Sequence, residues 1–213
     1  MMTDELLELK LVKNIFSWLI YFVVVVTIFF ACGKSTTETP PSQEEYDALV
    51  MQGWQDFAEK NYNSAKIQFQ EAAGVNPGNA AAYGGIGWAL LMQDSLTSAD
   101  DQFSLGAEKS DPDADFYAGW AFTLHLLHQS EKSINNALSA LQFDADWIFE
   151  NGTSLDKRSL QLILAADYFL VGNFAESLRY VQMLNPGYSA DIFTYSGRAA
   201  LSRELERLSN SGE

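Results

Sequence analysis

Cysteine occurs once in the 213 residues, at Cys32, so no disulfide can form within the chain. Histidine occurs only at His125 and His128. Basic residues are also scarce: 13 Lys and Arg stand against 28 Asp and Glu, a formal net charge of −15. Residues 1–31 hold Lys10 and Lys13 against Asp4, Glu5 and Glu8, which leaves 11 basic and 25 acidic residues, a net of −14, in the rest. That surface repels phosphate backbones and anionic headgroups, so no nucleic-acid partner is expected, whereas a basic protein partner is compatible with it. No segment alternates apolar and polar residues convincingly with a period of two, so no sheet is expected either.

Catalytic patterns are missing as well. His125 and His128 lie three residues apart, on neighbouring parts of one predicted helix face, but zinc would need two further ligands and Glu131 is the nearest candidate. Asp111, Asp113 and Asp115 imitate the start of a calcium loop, yet Phe116 and Phe122 stand where its glycine and bidentate glutamate belong. They read as helix-capping acids in a turn. The run GGIG at 84–87 falls inside a predicted helix, so it cradles no phosphate. Nothing marks a nucleophile, base and orienting group within mutual reach. We therefore expect no enzyme, no metal and no cofactor.

What is present begins with an apolar run from Ile15 to Ala31, preceded by Lys10 and Lys13 and followed by Cys32 and Gly33. The order basic, apolar, small is that of a secretory signal. Phe29-Phe30-Ala31-Cys32 resembles the lipobox of bacterial lipoproteins, in which the cysteine becomes the lipidated N-terminus. Phe29 departs from the aliphatic residue usual there. The run is also long enough for an uncleaved span at the low end of what crosses a bilayer. Either way the basic residues keep the N-terminus in the cytoplasm and the rest is exported. Gly33, where an aspartate would favour inner-membrane retention, implies by the same resemblance an outer-membrane anchor. Residues 32–42 are polar, with two prolines, and read as a flexible tether.

From residue 43 to 209 the chain repeats. Gly-Trp pairs stand at Gly53-Trp54, Gly87-Trp88 and Gly119-Trp120, the second interval only two residues shorter than the first. From Gly53 the chain offers Ala65, Phe69, Ala72 and Pro77; the same offsets from Gly87 give Ala99, Phe103, Gly106 and Asp111, with Pro112 next. Small residues belong where two antiparallel helices cross closely, and proline stops the second helix. Ser42 with Glu45 forms a capping box that starts the first helix. A third unit aligns Ser130, Ile134 and Ala137, and a fourth keeps Ala165, Ser177, Val181 and Leu184. An insertion of roughly residues 143–156, carrying Trp147, Ile148, Phe149 and the sequon Asn151-Gly152-Thr153, separates these two. The residues from Ser189 to Leu208 read as one capping helix, and 210–213 as a disordered tail.

This pattern resembles the tetratricopeptide repeat. The resemblance implies an all-α, right-handed superhelical array of antiparallel helix pairs, about four repeats plus a C-terminal capping helix. It further implies a concave groove lined by the first helix of each unit. Trp54, Trp88 and Trp120 would form its floor, flanked by Val50, Phe57, Leu91, Phe116, Leu124 and Phe169; the other reading is that these tryptophans pack into the core. The insertion around Trp147 is the second place to look for binding, unless it folds back onto the array. The function expected from the resemblance is a scaffold that holds a segment of another envelope protein, anchored through lipid on Cys32. A self-associating structural protein is the alternative.

Overall fold

The computed structural model describes residues 43–211. The export signal, Cys32, the tether and Ser42 of the capping box lie outside the described residues, as do residues 212–213. Among the described residues there are nine helices: α1 (Gln43–Ala58), α2 (Tyr62–Val75), α3 (Ala80–Leu91), α4 (Leu96–Gly106), α5 (Ala114–Leu126), α6 (Ser130–Phe143), α7 (Lys157–Leu170), α8 (Phe174–Leu184) and α9 (Tyr195–Asn210). No strand occurs among them; two isolated bridges join Asn79 to Ser110 and Ile148 to Asp156.

Local chemistry sets the helix boundaries. Pro77 and Pro112 lie in the turns after α2 and α4, where they do not interrupt a helical hydrogen bond. The Asn79 side chain accepts from the Ala81 N–H, and Asp113 accepts from the Phe116 N–H at 2.8 Å, so α3 and α5 each begin on a capping oxygen. At α7 the cap is reciprocal: Asp156 accepts from the Ser159 N–H, and the Ser159 hydroxyl accepts from the Asp156 N–H.

Consecutive helices pack as antiparallel pairs, and the first helices of successive pairs, α1 with α3, α3 with α5 and α5 with α7, also touch. The second helices α2, α4, α6 and α8 do not meet one another in this way. The first helices therefore form the inner layer and the second helices the outer one, a helical solenoid.

The register of the repeat is carried by the turn inside each pair. Lys60, Asp94, His128 and Gly172 all have left-handed backbone there, with φ of 65°, 58°, 58° and 79°. The first three recur at equal steps along the chain, and the step to the last is ten residues longer. Seven residues before these turns stand Gly53, Gly87, Ala121 and Ala165, all buried; five after them stand Ala65, Ala99, Ser133 and Ser177, each with no exposed surface. Phe69, Phe103, Ala137 and Val181 follow, then Ala72, Gly106, Ala140 and Leu184. The third unit therefore corrects the expected alignment. Ser133, Ala137 and Ala140 fill the crossing positions in place of Ser130, Ile134 and Ala137, and the pair Gly119-Trp120 sits two residues out of register.

Helix α9 closes the array in a reversed direction. Its start lies beside the end of α7 and the start of α8, where Tyr195 and Leu170 line one hollow and the Arg198 guanidinium is 5.1 Å from the Phe174 ring centre, while Glu204 further along accepts from Asn185 at the end of α8 at 2.9 Å. It runs antiparallel to α7, the opposite of what a fifth repeat would require. The ten residues between α8 and α9 cover the return path.

Candidate interaction groove

Between α6 and α7 the chain makes the excursion 144–156, which the sequence marks as an insertion. It folds back onto the inner layer. Trp147 and Phe149 are 1% exposed, whereas Ile148 between them is 64% exposed, the alternation of an extended chain laid on a surface. Two backbone hydrogen bonds shape it, Phe149 N–H to the Leu155 carbonyl at 2.9 Å and Lys157 N–H to the Trp147 carbonyl at 2.7 Å. At its tip Gly152 has a φ of 82°, and a Cβ there would stand 2.7 Å from the Ala58 Cα at the end of α1. Only glycine suits both demands.

The seat for these two side chains is aromatic. The Phe149 ring stacks on Trp88 with centres 4.2 Å apart and planes at 22°, and meets Trp54 and Phe57 edge-on at 5.8 Å each. Trp147 lies 6.2 Å from Phe122. Its indole N–H donates to Asp115 Oδ1 at 2.7 Å, and the Trp88 indole N–H donates to the Asp115 backbone carbonyl at 2.8 Å. One residue in the first turn of α5 thus satisfies both buried indoles, which would otherwise leave costly unpaired donors. Burial pushes the Asp115 carboxyl up to about 6, reinforced by Asp113, Glu150 and Asp144 nearby and opposed by the Trp147 hydrogen bond.

The residues expected to line the groove separate into distinct sets. Trp54, Phe57 and Trp88 come together under Phe149, with Trp88 wholly buried. Phe116 and Leu124, 2% and 0% exposed, lie in the core between helices; Phe116 packs on Phe103 of the outer layer. Trp120 turns toward α4, where its indole N–H donates to Asp100 at 2.7 Å. Phe122 takes the place that Trp120 was expected to hold. Val50 and Leu91 are half-buried against the core, and Phe169 packs on Phe174 in the fourth unit, 5.2 Å between ring centres. Gly119 is small for a reason unrelated to the repeat: a Cβ there would stand 2.6 Å from the Trp88 indole and 2.7 Å from Phe103.

Phe122 and Asp115 carry much of the seat, and the Gly-Trp pairs do not point to either. Repeating the step from Trp54 to Trp88 once more along the chain would have found Phe122. Nothing local marks Asp115 as the acceptor for two indoles.

The histidines do not share a helix face. His125 lies on α5 and His128 in the turn beyond it, with left-handed backbone. His125 Nδ1 lies 2.9 Å from Asp167 Oδ1 on α7, which also accepts from the Ser130 hydroxyl at 2.9 Å, so one buried carboxylate links α5, α6 and α7. Among the described residues no group of three His, Cys, Asp or Glu is placed to hold a metal. Nor is any helix among them long and apolar enough to cross a membrane.

A cavity of about 40 Å³ lies between α1, α3 and the start of α5, lined by Trp54, Ala81, Gly84, Trp88, Asp113, Asp115 and Phe116. A wider hollow of about 530 Å³ opens between the end of α7 and the start of α9.

No family model matches the chain, and no curated protein matches it. Solved structures do resemble it in fold. YrrB, described as a TPR protein with an unusual peptide-binding site, superposes with a TM-score of 0.60 at 13% identity, over 82% of this chain and 92% of that one. Pseudomonas aeruginosa pilF gives 0.56 at 16% identity, over 80% and 77%. PilW, described as a widely conserved type IV pilus biogenesis factor, gives 0.53 at 13% identity, over 95% and 89%. Residues 43–211 have the tetratricopeptide-repeat fold, four helix pairs closed by a reversed terminal helix.

Proposed function

We propose that this chain is an exported scaffold of a bacterial cell envelope, held to a membrane by lipid on Cys32, which binds a segment of another protein against its inner layer of helices. Residues 1–31 serve as the export signal, 32–42 as the tether and 43–209 as the binding domain. The observation that carries the reading is the seating of residues 147–149: the face formed by α1, α3 and α5 accommodates an extended stretch of polypeptide through its side chains. Two of the proteins similar in fold support it by description, one through its peptide-binding site and one through its part in pilus biogenesis. The residues proposed to meet the partner are Trp54, Phe57, Trp88 and Leu91 of the first two units, with Trp120, Phe116, Leu124 and Phe169 shaping the helices behind and beside them.

Metabolic labelling with a tagged fatty acid tests the anchor. Wild type carries the label, whereas Cys32→Ser loses it and keeps its uncleaved apolar run; wild type that stays in the membrane unlabelled means an uncleaved span instead. Crosslinking in intact cells, followed by purification of the adducts, then tests the scaffold: a defined envelope protein supports it and monomer alone contradicts it.

Self-association is the second reading, and one observation favours it. Leu170, Phe193 and Tyr195 are 61%, 89% and 86% exposed at the α9 end of the array. A mass that rises with concentration, and falls back on Phe193→Ser, would support pairing through that end.

A further inference from the structure

We infer that residues 144–156 are a built-in competitor for the groove, and that the partner segment is an extended peptide presenting two aromatic side chains two residues apart, the first an indole. The inference rests on the scaffold reading and names its ligand and its control.

Three features of the seat carry it. First, the backbone hydrogen bonds of residues 147–155 close on Leu155 and on Lys157, the first residue of α7, so apart from that junction the segment is held on α1, α3 and α5 by side chains and by the close approach of Gly152 to Ala58. The segment can leave, and another can enter, without α1, α3 or α5 losing a backbone bond; only the Lys157 N–H at the start of α7 gives up the Trp147 carbonyl. Second, the contacts read chemistry at alternate positions only: the Trp147 indole N–H on the Asp115 carboxylate, the Phe149 ring on Trp88, and Ile148 facing solvent. An incoming strand needs the same two rings and is free at the residue between them. Third, the excursion is ten residues added to an otherwise regular spacing of turns, and the helix-crossing positions on either side are filled by the repeats' own residues, Ser133, Ala137 and Ala140 before it and Ala165, Ser177 and Val181 after it.

Emptied, the seat would expose Trp54, Phe57, Trp88 and Phe122 together, an apolar patch that invites unspecific association. The excursion covers it until a better ligand arrives. Tethering gives it a high effective concentration, so only a partner of matching chemistry displaces it.

The test uses the full chain and a fluorescent synthetic peptide with the sequence of residues 144–156. In the variant Trp147→Ser/Phe149→Ser the peptide binds and raises anisotropy. If the wild-type seat is open about 1% of the time, wild type binds the same peptide ~100-fold more weakly. A control peptide with both rings replaced by serine binds neither protein. Absence of binding to a folded variant overturns the inference, as does equal binding to both proteins, which would place the site elsewhere; neither result touches lipid anchoring or partner capture by another face. Should the variant not fold, hydrogen exchange on wild type decides. The Phe149 and Lys157 amides should exchange at least ~10-fold faster than the slowest amides of α3, and exchange at the rate of α3 would make the segment permanent core and overturn the inference.

Discussion

Asp115 holds Trp147 by its carboxylate, 2.7 Å from the indole nitrogen, on a residue whose backbone carbonyl at the same time holds Trp88. The groove wall and the segment lying in it are therefore coupled at one position. Because the carboxyl is raised from 3.8 to about 6, the folded state binds its proton more tightly than the unfolded chain does. This contribution to stability is full below about pH 3.8, declines as pH rises through 6 and is absent above. The rise converts to about 3 kcal/mol, reduced to about 2 by solvent screening at the partly exposed carboxyl. Glu204, lowered to about 2 by Arg207 and then Asn185, works the other way, losing stability as pH falls below about 4.5. Urea unfolding of wild type and Asp115→Asn from pH 4 to 7 isolates the first effect. The difference between the two proteins should change over that range, and a constant difference would refute the assignment.

Trp88→Ala should cost ~3 to 5 kcal/mol, because a wholly buried indole is replaced by a cavity and the Phe149 stacking is lost. Trp120→Ala, at a half-buried indole bonded to Asp100, should cost about 1 to 2. Chemical denaturation midpoints would show the order, and equal losses would contradict the separation of these two residues.

Gly119→Ala should destabilise by about 1 to 3 kcal/mol, since its Cβ would press on the Trp88 indole. The predicted rescue is a smaller side chain at the neighbour: combined with Trp88→Phe, the added cost of Gly119→Ala should shrink. A double-mutant cycle measures this, and additive losses would show that the two residues do not act together.

Asp94→Gly and His128→Gly relieve left-handed backbone in the turns. Each should raise stability by about 0.5 to 1 kcal/mol, the relief of φ strain less the entropy glycine adds to the unfolded chain. Thermal unfolding would show it as a higher midpoint, and a lower one would mean that contacts of these side chains outweigh the strain.

How much of this could be read from the sequence differs by element. The helix pairs were legible because small residues, aromatic fillers and prolines recur at fixed offsets, and each of these acts over a few residues. The third unit was not, since the Gly-Trp pair at 119 imitates a repeat mark while serving Trp88. The true register lies in Lys60, Asp94 and His128, which share a backbone conformation and no side-chain chemistry. The insertion was visible as an interruption of the period. Its seat was not, because Trp88 on α3 meets Phe149 beyond α6, with three whole helices of chain between them, and no local pattern encodes that meeting.

The central claim, that the inner layer of α1, α3 and α5 holds a partner's extended segment in the place now taken by Trp147 and Phe149, is tested most directly by a photo-crosslinking amino acid at Trp54 in living cells. Trp54 is half-buried at the edge of the seat, within reach of whatever lies on Trp88. The expected result is one discrete adduct with another envelope protein, stronger in the Trp147→Ser/Phe149→Ser variant and weakened by added peptide of residues 144–156. An adduct unaffected by the variant and the peptide, or none in either protein, would contradict it.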